Sequence, residues 1–407
     1  MLYNFLYIDP GTGSMLFSLA IGVATAGVFA FRALAVKIRF ILSGGKAEKL
    51  QAGKIPYLIF SDHKRYWNVF KPICDQFEER KIPLVYYTQS EDDPALSAKY
   101  EFVKAEYIGE GNKGFVKMNM LNAGTVIATT PGLDVLQWKR SKTVDRYIHI
   151  PHSCDDLAGY RMFALDYYDA FLACGQNQID FAKKIEEARP AIKRKEMFAA
   201  GSTFLDAALD HVKELPAHTL NKEKPVILLA PSWGPSSILV RFGDSLLSAL
   251  KETGFEVIVR PHPQSFTADK EIIDSLMEKY SCFEWNRDND NLAVLNRSDM
   301  MITDFSGIIL EYTLLFNRPF MYADTSFDTA VYDAAWFDEK MWILRAAEKM
   351  GLKLEEKDFG NIKEVINNAL SSTSLQEARN EIKEECWAQV GNAAKNIVDF
   401  ITAAPKE

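Results

Sequence analysis

The chain has 407 residues, 48% hydrophobic and 25% charged, which excludes a disordered, collagen-like or coiled-coil protein and leaves room for two or three domains of about 100–200 residues each. A formal net charge of −8 withholds the electrostatic footprint of a dedicated nucleic-acid binder and leaves only a local basic patch open. Five scattered cysteines without CxxC spacing argue against a disulfide framework or a zinc site and suit a reducing compartment.

In chain order, the first feature is a run from Gly11 to Phe31 that carries no charge. As a helix rising about 1.5 Å per residue, it matches the roughly 30 Å hydrocarbon core of a bilayer. Arg32, Lys37 and Arg39 follow it and no Lys or Arg precedes it. This asymmetry predicts an N-terminal hydrophobic helix in the inner (cytoplasmic) membrane, with the body of the chain facing the cytoplasm. A cleavable signal peptide is disfavoured, because the basic n-region is missing. A buried core helix and a helix lying in the membrane interface are the competing readings, and the charged continuation to Leu42 suits the latter. Gly44-Gly45 and the lysines after it read as a linker.

The body then alternates strand and helix. Expected strands are Tyr57–Ser61, Pro83–Tyr87, Val126–Thr130, Tyr147–Ile150, Ala170–Ala173 and Met197–Ala200, with a helix over about residues 66–80. A charged stretch near Pro216–Pro225 marks a boundary, and the rhythm restarts. Strands are expected at Val226–Ala230, Glu256–Arg260, Met300–Thr303 and Pro319–Tyr322, with helices at Asp244–Thr253, Ile272–Tyr280, about 306–316 and about 375–401. Short, continuously apolar strands separated by helices predict buried parallel sheets. The expected organisation is an anchor and linker over 1–45 and two Rossmann-like α/β domains over 46–220 and 221–407. Their strand C-termini would face a shared central cleft.

Four strand ends bear side chains suited to chemistry. Ile258-Val259-Arg260-Pro261-His262-Pro263 holds Arg260 and His262 in a turn stiffened by prolines, ready to meet a phosphate or carry a proton. A structural histidine is the alternative. In Thr303-Asp304-Phe305-Ser306-Gly307, Asp304 or Ser306 can cap the following helix, and its first amides, with Gly307 allowing close approach, suit an anion. Glu311 lies one turn further on, near ligand hydroxyls or facing solvent. His149-Ile150-Pro151-His152-Ser153-Cys154-Asp155-Asp156 offers His152 as a general base beside Asp155 or Asp156. Metal binding there lacks ligand spacing, and Cys154 reads as a small buried residue. The loop from Pro231 through Ser232 to Ser237 touches a diphosphate or base, or is a plain turn. It matches neither GxGxxG, a P-loop nor a GxSxG elbow.

RPHP (260–263), ITDFSGIILEY (302–312) and LLAPSWG (228–234) together resemble the CDP-glycerol glycerophosphotransferase family, the teichoic-acid primases and polymerases with a GT-B-like fold. The His152-Ser153 turn resembles that family's N-terminal-domain His loop, and FAAGSTFL (198–205) its interdomain segment. The resemblance covers about residues 120–325. It implies His152 as acceptor-side base, with Ser153 and Asp155 beside it, and His262 on the donor phosphates. It implies donor contacts from Arg260, Ser232, Thr303, Asp304, Ser306, Gly307 and Glu311, the last standing where the family usually has Asp. The implied donor is a CDP-alditol and the implied acceptor a polyprenyl-linked glycan at the membrane. No metal or other cofactor is expected, since no acidic pair suits Mg²⁺. A nucleotide-sugar glycosyltransferase, a sugar-nucleotide epimerase and a non-catalytic membrane-tethered binding module are the rival readings.

Overall fold

The computed structural model describes residues 53–221, 223–288, 290–323 and 332–403. The expected N-terminal membrane helix and its linker lie outside the described residues. Among the described residues, no helix is long and apolar enough to cross a membrane.

The first seven strands are β1 (Ile55–Ser61), β2 (Leu84–Thr88), β3 (Val103–Tyr107), β4 (Asn122–Ala128), β5 (Thr143–His149), β6 (Ala170–Ala173) and β7 (Glu196–Ala199). They form one sheet in the order β3-β2-β1-β4-β5-β6-β7, parallel throughout. Successive side chains point to opposite faces, so Leu58 and Phe60 join one buried cluster while Ile59 joins the other. Burial on both faces is why these strands read as unbroken apolar runs.

A second parallel sheet holds β8 (Val226–Leu229), β9 (Glu256–Val259), β10 (Glu284–Trp285), β11 (Met300–Thr303), β12 (Phe320–Ala323) and β13 (Leu352–Leu354). Their order is β10-β9-β8-β11-β12-β13. Ile227 and Leu229 face one apolar layer and Leu228 the other. Both sheets therefore have the doubly wound arrangement in which ligands bind beyond the strand C-termini.

The observed elements differ from expectation at their ends. The helix expected at Asp244–Thr253 starts earlier, as Ile238–Thr253. The expected helix over 375–401 is two helices, Ser374–Cys386 and Ala393–Thr402. The second of these does not stay with the 221–407 half. Its Ile397, Val398 and Ile401 are buried in the apolar layer of the first sheet with Phe70 and Ile73. Asp206, in the helix Thr203–Glu214, pins this return. Its carboxylate accepts from Trp387 Nε1 (3.0 Å), the Gly391 amide (2.8 Å) and the Ala393 amide (2.9 Å). Gly201 is in the left-handed region at φ +100°, and a Cβ there would lie 2.6 Å from the Ala388 carbonyl oxygen. The chain thus needs glycine where its two halves touch.

Candidate active site

Loops at the strand ends of both sheets line a cleft of about 630 Å³. From the first sheet come His152 and Ser153, beyond β5. From the second come Arg260 and His262 beyond β9, Asn286 to Asp288 beyond β10, and Ser306, Gly307 and Glu311 beyond β11.

His152 opens onto the cleft beside the Tyr66 ring, centroids 5.1 Å apart. Its Nδ1 lies 3.5 Å from Thr129 Oγ1, which leaves Nε2 for a ligand. The carboxylate expected to orient it is elsewhere: the recorded partner is a hydroxyl. The cleft walls strip water from the ring and Arg65 lies near it, and both lower its pKa from the ordinary imidazole value. The lowered pKa favours the neutral ring that a general base needs.

His262 is held differently. Its Nδ1 accepts the Gln264 amide (3.1 Å), so a neutral ring carries its proton on Nε2. Burial lowers its pKa and Asp304 opposes that. Trp233 lies nearly parallel to it, with centroids 6.3 Å apart. A fixed Nε2–H donor suits a phosphate oxygen.

Arg260 is anchored by three acceptors: Asn286 Oδ1, the Asp288 carbonyl (2.7 Å) and Asn291 Oδ1 (2.6 Å). Asn291 in turn donates to Glu311 Oε2 (3.1 Å). Burial raises the Glu311 pKa, against the pull of Asn291 and Arg260. Asn286, Asp288 and Asn291 were not anticipated, because they follow a two-residue strand whose apolar signal is too short to register.

The helix Ile308–Phe316 begins at Gly307 with no side chain capping it. Its first amides and the positive end of its dipole face the cleft, an arrangement suited to a diphosphate. Asp304 does not cap it. Its carboxylate instead accepts the Ser232 amide (2.9 Å) and the Ile238 amide (3.0 Å), capping the neighbouring helix Ile238–Thr253.

Three expected donor residues thus stay behind the cleft wall. Asp304 is buried under that cap, and Ser232 is buried above it. Thr303 spends its hydroxyl on the Ala230 carbonyl (2.7 Å). Asp304 and Thr303 turn their polar groups to neighbouring backbone because the strand ends leave amides and carbonyls that need partners, whereas the Ser232 hydroxyl is buried with no hydrogen-bond partner among the described residues.

Asp155 is also displaced from its expected place beside His152. Its Oδ1 accepts the Asp156 amide (2.6 Å). Its Oδ2 lies 4.0 Å from where a Cβ on Gly307 would sit, so it meets the donor-side helix. Burial, with Asp156 nearby, raises its pKa to about 7. His149 lies in the core, where burial lowers its pKa to about 3, and its Nε2 is 3.2 Å from the Tyr160 hydroxyl. Cys154 is buried with Cys174 and Cys386. Among the described residues, no three His, Cys, Asp or Glu side chains gather as metal ligands would.

Comparison with solved structures finds the same two-sheet architecture in other proteins. The wall teichoic acid polymerase TagF, soaked with CDPG, aligns with TM-score 0.54 at 16% identity, covering 92% of this chain and 97% of that one. A UDP-GlcNAc 2-epimerase from Methanocaldococcus jannaschii aligns with TM-score 0.56 at 13% identity, covering 86% and 99%. One from Neisseria meningitidis gives 0.52 at 13%, covering 85% and 99%. At these identities the likeness establishes the two-sheet GT-B-like architecture alone. No curated protein matches the sequence. The family model for CDP-glycerol:poly(glycerophosphate) glycerophosphotransferase matches residues 181–402. That is more than half of the chain, and it takes in the second-sheet side of the cleft and the returning last helix, while His152 lies upstream of it. The chain therefore belongs to the CDP-glycerol:poly(glycerophosphate) glycerophosphotransferase family and is an enzyme of that kind.

Proposed function

We propose that the protein transfers glycerol phosphate, or a related alditol phosphate, from a CDP-alditol to a hydroxyl of a lipid-linked glycan or polymer at the inner face of the cytoplasmic membrane. One observation carries this reading. The cleft brings a histidine with its Nε2 unengaged, from one sheet, opposite a fixed imidazole donor, an anchored arginine and an uncapped helix N-terminus from the other.

In this reading the donor diphosphate sits against the amides at Ser306, Gly307 and Ile308. His262 donates from Nε2 to a phosphate oxygen, and Arg260 adds positive charge. Glu311 faces the hydroxyls of the nucleoside. The acceptor enters from the His152 side. His152 Nε2 takes the acceptor proton as its oxygen attacks the β-phosphorus. The bond between that phosphorus and the bridging oxygen breaks, and CMP leaves with the electron pair. Fixed donors stabilise the charge spread over the transferring group. The charge-free segment 11–31 would hold the enzyme in the same two-dimensional space as its acceptor and raise the effective concentration of both.

Wild type, His152→Ala and His262→Ala would be compared in CDP-glycerol turnover with a native lipid extract. Each variant is expected to lose about 10²-fold or more in kcat/KM with its circular dichroism and Tm unchanged. Near-wild-type turnover in either would remove that histidine from the reaction.

A further inference from the structure

Asp155 brings a carboxylate from the first sheet's side of the cleft to the uncapped helix of the second. It stands three residues beyond His152, and its backbone is fixed there. Its amide donates to Ser153 Oγ (3.1 Å), and its carbonyl accepts Gln178 Nε2 (2.7 Å) from the helix Gln176–Ala188. The side chain is half-buried. Its Oδ1 accepts the Asp156 amide (2.6 Å), and among the described residues this is the carboxylate's one hydrogen bond. Oδ2 is left over, and it is the oxygen that meets Gly307.

Gly307 has helical backbone, with φ at −59°, so its conformation does not demand glycine. A Cβ there would meet one atom within 4 Å, Asp155 Oδ2 at 4.0 Å. The missing side chain therefore leaves a gap between Asp155 and the uncapped first turn of the helix Ile308–Phe316, and Gly307 lines the cleft. A phosphate seated on the amides of Ser306, Gly307 and Ile308 would lie beside Oδ2.

The charge on Asp155 decides what Oδ2 does there. An ionised carboxylate would repel a diphosphate across that gap and compete with it for the same helix pole. A carboxylic acid would instead donate its proton to a phosphate oxygen. The surroundings favour the acid. The groups facing Asp155 are the Asp156 carboxylate on its own loop, the Tyr160 hydroxyl after it and the Cys386 thiol of the helix Ser374–Cys386, and among the described residues no cation acts on it. Arg345 acts on Asp156 instead. Glu311, the acidic residue of the helix's first turn, is turned to Asn291. Burial and the Asp156 charge push the Asp155 pKa up to about 7.

We infer that Asp155, in its acid form, is a ligand of the donor's diphosphate, so that the cleft takes up a proton with the nucleotide it binds above neutral pH. This rests on the reading above for the seat of the diphosphate at Gly307, and adds to it a phosphate contact from the opposite wall of the cleft. Binding favours the protonated carboxyl, so affinity is full below the Asp155 pKa and falls as pH rises through it. Both phosphates of a CDP-alditol are esterified and ionised well below neutral pH, so the nucleotide brings no titration of its own. His262 is the rival source of a proton, and Asp155→Asn separates the two.

The test is titration calorimetry of the full-length protein with CDP-glycerol and with a nucleotide sugar, in buffers that differ in ionisation enthalpy. About one proton is expected to enter with CDP-glycerol at about pH 8.5, and wild-type affinity is expected to fall about tenfold per pH unit above about pH 7. Asp155→Asn keeps an oxygen for the Asp156 amide and sets an amide donor at the Oδ2 position. It is expected to lose the proton uptake and to bind about tenfold or more tighter than wild type at about pH 8.5. The wild-type proton count needs no variant to fold. CDP-glycerol binding without proton uptake at that pH, or uptake undiminished in Asp155→Asn, would overturn the proposal and leave the proposed reaction standing. A nucleotide sugar that binds where CDP-glycerol does not, with the same Asp155-dependent proton, would support the contact and sink the proposed donor. Binding of neither would overturn both.

Discussion

The two cleft histidines are set in opposite ways by their Nδ1 contacts. Gln264 fixes the His262 proton on Nε2, while Thr129 is the recorded partner of His152. Because the His152 pKa is lowered, the acid limb of kcat/KM is expected below the ordinary imidazole range, and His152→Ala should abolish that limb together with the rate. Asp155 sets a second pH dependence, this one in stability. Its folded pKa of about 7 lies above the ordinary aspartate value of 3.8, so between these values the folded chain holds a proton that the unfolded chain releases. Stability is present below the lower value and is lost as pH rises through the upper one. Asp155→Asn keeps the oxygen that accepts the Asp156 amide and removes the charge. It is expected to raise Tm by about 2–4 °C at pH 8 and to do little near pH 4. Scanning calorimetry at the two pH values checks this, and an equal shift at both would show that burial is not the cause.

Interior strands announced themselves, and of the four edge strands only β7 did. β3, β10 and β13 are three of the four sheet edges, and all three were missed. β3 reads Val-Lys-Ala-Glu-Tyr with only Val103 buried, while β10 and β13 have two and three residues. A strand covered on one side needs no continuous apolar run. The same reasoning explains the candidate site. His152, His262, Arg260, Ser306, Gly307 and Glu311 follow strong interior strands and reach the cleft. Asn286 and Asp288 follow the edge strand β10 and were invisible. Asp304 and Thr303 carried the right residue types, but their use by neighbouring backbone groups depends on packing between strand ends that are distant in sequence. The returning helix is a further case, since nothing in Ala393–Thr402 names the sheet it covers. Its anchor is Asp206, and Asp206→Ala is expected to cost about 2–3 kcal/mol by leaving three donors without a charged acceptor. Urea denaturation measures this, and a loss below about 0.5 kcal/mol would show that the crossing is held by apolar burial alone.

The two sheets are joined by more than the returning helix. Arg189, from the first half, forms ion pairs with Asp166 (2.7 Å) and Asp333 (2.9 Å), all three buried. Removing one member of such a group leaves the others charged and unpaired. Arg189→Met is therefore expected to lower stability by about 3–5 kcal/mol, measurable in the same urea series, with Asp166→Asn/Asp333→Asn/Arg189→Met together recovering much of it. The family match reaches from residue 181 to 402 and thus covers the second sheet and its side of the cleft. The central claim is that the cleft moves an alditol phosphate and leaves a nucleoside monophosphate behind. The direct measurement is mass spectrometry of the nucleotide released when the full-length enzyme meets CDP-glycerol and membrane lipid extract. CMP that appears only with the extract, and is lost in His152→Ala, is the predicted result. Release of a nucleoside diphosphate from a nucleotide sugar, with CDP-glycerol left intact, would mean glycosyl transfer in the same cleft and would contradict the account.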